Sequence, residues 1–238
     1  MARILILGDT WGISPCHVWP QNQLADPTQW FEFELMRRGH NVMNRSWGGN
    51  QNNYQLSICE THLAALKDHP EYQPDTVIWF HTELMRDMIP PVTEPMRRQE
   101  ITLDQGLDLV AEEIYGRVAR TRALYPHVRW AIIGGHAPVR ASRVHILQDA
   151  GVDYIKINWR SEISGVDIPE SHAFEFLERW KGNLWDHGIA EDRIAEEQRI
   201  AEIIEQATQD RSKFYNGKHP NWPAYHRLAD ELTAHFGW

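Results

Sequence analysis

The stretch Arg3-Ile4-Leu5-Ile6-Leu7-Gly8-Asp9-Thr10-Trp11-Gly12 decides the fold. Ile4 to Leu7 form an unbroken apolar run, too short for a helix and without polar alternation, and a glycine-led polar turn follows at once. Such a run is a strand buried on both faces, which is the situation of a parallel sheet covered by crossover helices. The same grammar recurs down the chain. Strands are expected over residues 3–7, 41–44, 76–80, 128–133 and 152–157, with helical spacing over 28–38 and 54–68. A longer helix is expected over 103–125, where Leu107, Val110, Ala111, Ile114 and Val118 share a face. Ile194, Ile200, Ile203, Ile204 and Ala207 mark another over 189–209, and a last one covers 222–236. Pro90, Pro91 and Pro95 interrupt any period over 88–100, which predicts an exposed loop and a lid near the end of the third strand. Alternating strands and helices predict an α/β class protein, a three-layer α/β/α sandwich with a central parallel sheet of the flavodoxin-like kind. No repeat, low-complexity tract or linker divides the chain, so residues 1–238 are expected to form a single domain.

Bulk properties narrow the function. With 238 residues and 42% hydrophobic content the chain can bury a sizeable core. A formal net charge of −9, with arginines and lysines scattered, leaves no footprint for a phosphate backbone, so nucleic acid is not expected as a partner. The N-terminal apolar run is too short for a signal peptide and lacks a small-residue cleavage site, and no stretch approaches the roughly 18 apolar residues of a spanning helix. The expectation is no membrane association and a cytoplasmic location where the chain is made. Cys16 and Cys59 cannot staple a domain of this length and read as free thiols.

In a doubly wound sheet ligands bind beyond the carboxyl ends of the strands. The turns there are Gly8-Asp9-Thr10-Trp11-Gly12, then Asn44-Arg45-Ser46-Trp47-Gly48-Gly49-Asn50, His81-Thr82-Glu83 and Gly134-Gly135-His136. Asn216-Gly217-Lys218-His219-Pro220-Asn221 precedes the last helix. An alcohol attacks an acyl carbon poorly at neutral pH unless a base lies within hydrogen-bond reach and donors face the oxyanion that forms. Thr10, directly after a buried strand, supplies the alcohol; His219, an imidazole of near-neutral basicity, supplies the base. Gly48 and Gly49 let a second backbone approach closely. Asp9 also reads as a brace for its turn, and Asn221 as the cap of the last helix. His81 and His136 stand alone at strand ends and read as hydrogen-bonded structural residues. No metal-ligand spacing joins them, so no metal and no cofactor are expected. Neither a G-x-G-x-x-G nor a P-loop pattern follows the first strand, which argues against a nucleotide.

These blocks, in this order, resemble the SGNH or GDSL-type hydrolases, a family of esterases, lipases and carbohydrate deacetylases with a three-layer α/β sandwich. The resemblance spans most of the chain. It implies a nucleophile at Thr10, a base at His219 with Asn216 in the partner aspartate's place, and an oxyanion hole from the Thr10 amide, Gly49 or Gly48, and Glu83 or Thr82. It implies hydrolysis of an acyl ester of a small molecule or carbohydrate. The GDTWG turn and the Thr82 to Asp87 run resemble SGNH-like proteins of bacteriophages in particular, which fits a phage-encoded or virion-associated enzyme.

Three positions depart from the family pattern. Threonine adds a methyl that restricts χ1 at the nucleophile. Asn216 carries no charge for an imidazolium, and the serine-protease triad loses about 10⁴ in turnover from the equivalent change. An ionised Glu83 repels an oxyanion, so donors come from backbone amides, from Thr82, or from a protonated Glu83; a rearranged triad in which a carboxylate orients His219 is the other arrangement. A second function class therefore stays open, a binding protein of the same fold that reads a glycan or protein partner. Trp11, Trp47, Trp159 and Trp222, among 11 tryptophans, flank the turns and would suit stacking on sugar rings.

Overall fold

The structure, a computed structural model, describes residues 1–9, 30–135, 137–168, 191–209, 214–215 and 219–238. Its centre is a five-stranded, wholly parallel sheet of β1 (Arg3–Leu7), β2 (Asn41–Asn44), β3 (Thr76–His81), β4 (Arg129–Gly134) and β5 (Tyr154–Lys156), in the order β2-β1-β3-β4-β5. Helices cover both faces, giving the expected α/β/α sandwich with the flavodoxin-like order.

Side-chain alternation assigns each strand residue to a layer. Leu5, Leu7, Val77, Trp79, Trp130 and Ile132 point to one face, packed under α2 (Asn52–Ala65), α3 (Pro90–Arg97), α4 (Leu103–Leu124) and α5 (Val144–Asp149). Ile4, Ile6, Ile78, Phe80, Ala131 and Ile133 point to the other, under α1 (Phe31–Arg37), α6 (Trp159–Ser164) and α8 (Trp222–Phe236). Burial on both sides is why these runs show no polar alternation. The edge strand β2 is half-exposed, with burial alternating along Asn41, Val42, Met43 and Asn44. A further helix, α7 (Glu191–Thr208), and a two-residue antiparallel pair, β6 (Phe214–Tyr215) with β7 (His219–Pro220), complete the described elements.

Residues 88–100 form no lid loop. Pro90 and Pro91 open α3, where the first N–H groups of a helix have no acceptor and proline costs nothing. Val92 and Met96, one turn apart, are buried against α4, so packing outweighs the one bond lost at Pro95. The helix ends with Gln99 N–H on the Met96 carbonyl and Glu100 N–H on that of Pro95, with Gln99 at φ +58° in a place that favours glycine. The α4 helix starts on a reciprocal capping box between Thr102 and Gln105.

Candidate active site

The order β2-β1-β3 puts the topological switch point between β1 and β3, where parallel α/β sheets open a crevice. Three turns meet there. The carbonyl of Gly8 accepts the N–H of Trp47 at 3.0 Å, which ties the turn after β1 to the turn after β2. Asp9, fully buried, accepts the Thr82 hydroxyl at 2.8 Å, which ties the first turn to the one after β3. Asn50 N–H closes a turn on the Trp47 carbonyl at 3.1 Å, and Gly49 sits third in that turn at φ +79°, a conformation that calls for glycine.

Asn52, the first residue of α2, brackets Thr82. Its Oδ1 accepts Thr82 N–H at 2.9 Å and its Nδ2 donates to the Thr82 carbonyl at 2.9 Å. Asp87 closes the network, accepting Asn52 N–H, Asn52 Nδ2 and Asn53 N–H at 2.8–3.1 Å, and so caps α2 from a distant loop. Burial pushes the Asp87 carboxyl up to about 6 despite those donors and the nearby Arg86. Glu83 is buried and accepts Arg86 Nε at 2.9 Å, so its carboxylate faces a guanidinium. Thr82 gives its N–H to Asn52 and its hydroxyl proton to Asp9, and the Glu83 carboxylate accepts from Arg86.

Deeper in the sheet, His81 Nε2 lies 3.3 Å from the Tyr115 hydroxyl, which accepts Arg140 N–H at 2.8 Å and so has its own proton for the imidazole. Burial, opposed by the Ala137 backbone and the Asp9 charge, holds His81 down to about 4 and therefore neutral. His81 is the hydrogen-bonded structural histidine the sequence suggested; His136 lies outside the described residues.

The last helix approaches the same corner. Asn221 caps α8, accepting Ala224 N–H at 3.3 Å. Tyr225, one turn in, packs on Phe31, and burial followed by the charge of Asp9 pushes its phenol up. Glu34 of α1 holds the flank: burial works against its charge, yet Arg37, Arg38 and His226 bring it down to about 2, and Trp222 Nε1 reaches it at 3.4 Å. Thr10 and Asn216 lie outside the described residues, as does the His219 side chain, whose backbone pairs with Tyr215 in the β6–β7 ribbon.

A cleft of about 770 Å³ opens beside the second turn, between Glu32 of α1, residues 44–51 and Tyr54 of α2. Trp47 stands exposed at its edge. Trp222 is also partly exposed, whereas Trp159 is fully buried with Lys156 and Arg227 over its ring and belongs to the core rather than to a pocket rim. Trp11 lies outside the described residues. Cys59 is a buried free thiol in α2, and Cys16 lies outside the described residues.

The sequence reading missed Asn52 and Asp87. A signal existed for Asn52: together with Gln55, whose Oε1 accepts Trp79 Nε1 at 2.6 Å, it puts polar side chains on the buried stripe of α2. No described helix is long and apolar enough to cross a membrane.

No family model and no curated protein matches the chain. Solved structures do. The chain is similar over its whole length to the psychrotrophic esterase EstA from a Pseudoalteromonas species, inhibited there by monoethylphosphonate, with 12% identity, 97% of that chain covered and a TM-score of 0.49. It is similar over 87% of its length to TesA, at 12% identity, 98% coverage and a TM-score of 0.41. Over 87% it is similar to a protein from Parabacteroides merdae described as GDSL-like lipase, at 11% identity, 95% coverage and a TM-score of 0.34.

Proposed function

We propose that the protein is a hydrolase of acyl esters, with Thr10 as nucleophile and His219 as general base. The observation that carries the reading is the bonded convergence of three strand-end turns at the switch point, through Trp47 on Gly8 and Thr82 on Asp9. Thr10 follows Asp9 directly, and His219 lies six residues before Tyr225, whose phenol feels the Asp9 charge. Two far-separated stretches thus lead toward one corner.

In this mechanism the Thr10 hydroxyl adds to the acyl carbon while His219 takes its proton. The oxyanion is met by backbone N–H groups of Thr10 and of Gly49 or Gly48, since the Thr82 N–H and hydroxyl are committed to Asn52 and Asp9 and the Glu83 carboxylate accepts from Arg86. Collapse expels the alcohol, which receives the proton from His219. Water activated by the same imidazole then cleaves the acyl-threonine and releases the acid. Asn216 orients His219 by accepting its other N–H.

Hydrolysis of 4-nitrophenyl acetate tests this. Thr10→Ala and His219→Ala should each abolish turnover, while Thr10→Ser, which removes the crowding methyl, should raise it by about tenfold. Undiminished turnover in Thr10→Ala, or none in the unmutated protein with this ester and its butyrate homologue, refutes the assignment.

A further inference from the structure

We propose that the cleft beside Trp47 and Tyr54 is a carbohydrate subsite that takes a pyranose unit of the substrate. Both rings line it and both are open to solvent, Trp47 at 62% and Tyr54 at 57% exposure. Large aromatic faces left in water are unfavourable, and the C–H face of a pyranose covers such a ring while its hydroxyls stay outward. The rest of the wall suits those hydroxyls. Asn44, Asn50 and Gln51 line it with neutral amide side chains, and among the described residues Ile58 is the single aliphatic one. The Glu32 carboxylate is engaged by Asn44 Nδ2 at 2.6 Å, so its charge is not aimed at the ligand unopposed. Among the described residues a fatty acyl chain finds one aliphatic side chain in the wall, and a phosphate finds one guanidinium, Arg45, rather than a cradle.

The cleft also has a place in the reaction. Trp47 N–H bonds the Gly8 carbonyl, two residues before Thr10, so a sugar stacked on Trp47 lies next to the first turn. This step deepens the proposed function and rests on it for the position of the ester, which would be a substituent of the bound sugar. Binding itself needs no catalysis.

The test is titration of the full chain with xylotriose, cellotriose and N,N′,N″-triacetylchitotriose, followed by calorimetry. At least one should bind with a Kd of about 1 mM or tighter, and Trp47→Ala and Tyr54→Ala should each weaken it by about tenfold with unchanged melting temperature. Failure of all three sugars to bind below about 10 mM, or binding indifferent to both aromatic variants, overturns the subsite. Sugar binding as expected alongside absent ester hydrolysis sinks the hydrolase reading alone; ester hydrolysis without sugar binding sinks the subsite alone.

Discussion

Asn52 mimics a neighbouring strand for Thr82, accepting its N–H and donating to its carbonyl, both at 2.9 Å, one residue beyond the end of β3. The bracket holds the turn after β3 to the start of α2, and it leaves Thr82 free to reach Asp9 with its hydroxyl. Asn52→Ala strips partners from two buried backbone groups of Thr82 and one bond from Asp87. It should lower unfolding free energy by about 2–4 kcal/mol, read as a reduced urea midpoint at unchanged m. A loss below about 0.5 kcal/mol would mean water replaces the amide without penalty.

Asp87 and His81 pull stability in opposite directions with pH. Asp87 sits at about 6 in the fold against an ordinary 3.8, so the native chain keeps a proton that the unfolded chain has released; its contribution is full below pH 3.8 and falls as pH rises to about 6. His81 sits at about 4 against 6.5, so the unfolded chain takes up a proton first; its contribution is full above pH 6.5 and falls as pH drops to about 4. The two offset each other between. Asp87→Asn removes the opposing Asp87 dependence and leaves that of His81, so stability should climb more steeply from pH 4 to 6 than in the unmutated chain. Urea melts at three pH values across that range decide it, and an equal or shallower climb counts against the Asp87 assignment.

Two glycines should respond oppositely to alanine. A Cβ on Gly134 would stand 1.9 Å from the Ile157 carbonyl oxygen, where the Val139 N–H also bonds, so backbone would have to give way. Gly134→Ala should cost more than about 3 kcal/mol and yield little folded protein. A Cβ on Gly106 would meet the Met96 Sδ at 2.6 Å, the far end of a flexible side chain. Gly106→Ala regains about 1 kcal/mol of helix propensity against that contact and should stay within about 1 kcal/mol of the unmutated chain by thermal melting.

Gln99 occupies at φ +58° the position that Gly39 fills at the end of α1. Gln99→Gly should therefore stabilise by about 0.5–1 kcal/mol, seen as a rise in the urea midpoint. A fall would show that the side chain holds a contact worth more than the backbone relief.

Sequence and structure agree where a local pattern has a local cause. β1 and β2 run over the expected residues, and for β1 the cause is plain, since burial on both faces writes itself into consecutive apolar side chains. The α8 helix agrees at both ends because Asn221 and Gly237 supply its cap and its left-handed exit nearby. α2 begins at Asn52, two residues early, because its cap is Asp87, 35 positions away. α3 was hidden by its prolines, which suit a helix start as well as a loop. The candidate site divides the same way. Strand-end turns are legible from composition, so Asp9, Gly49 and Thr82 stand out; the partners of Thr82, which are Asn52 and Asp9, are set by tertiary approach, which no spacing encodes, whereas Glu83 meets Arg86 three residues on. Thr10, Asn216 and the His219 side chain lie outside the described residues, so their pairing rests on Thr10→Ala and His219→Ala.

The burial of Met96 between α3 and α4 makes this residue a natural probe of whether that helix ever lifts away. Its side chain is shielded while those of Met1, Met36 and Met43 are open, so brief peroxide treatment should convert the latter three to sulfoxide and spare Met96. Mass spectrometry of the oxidised peptides would then time the detachment of α3 against global unfolding, with the three exposed methionines as internal clocks.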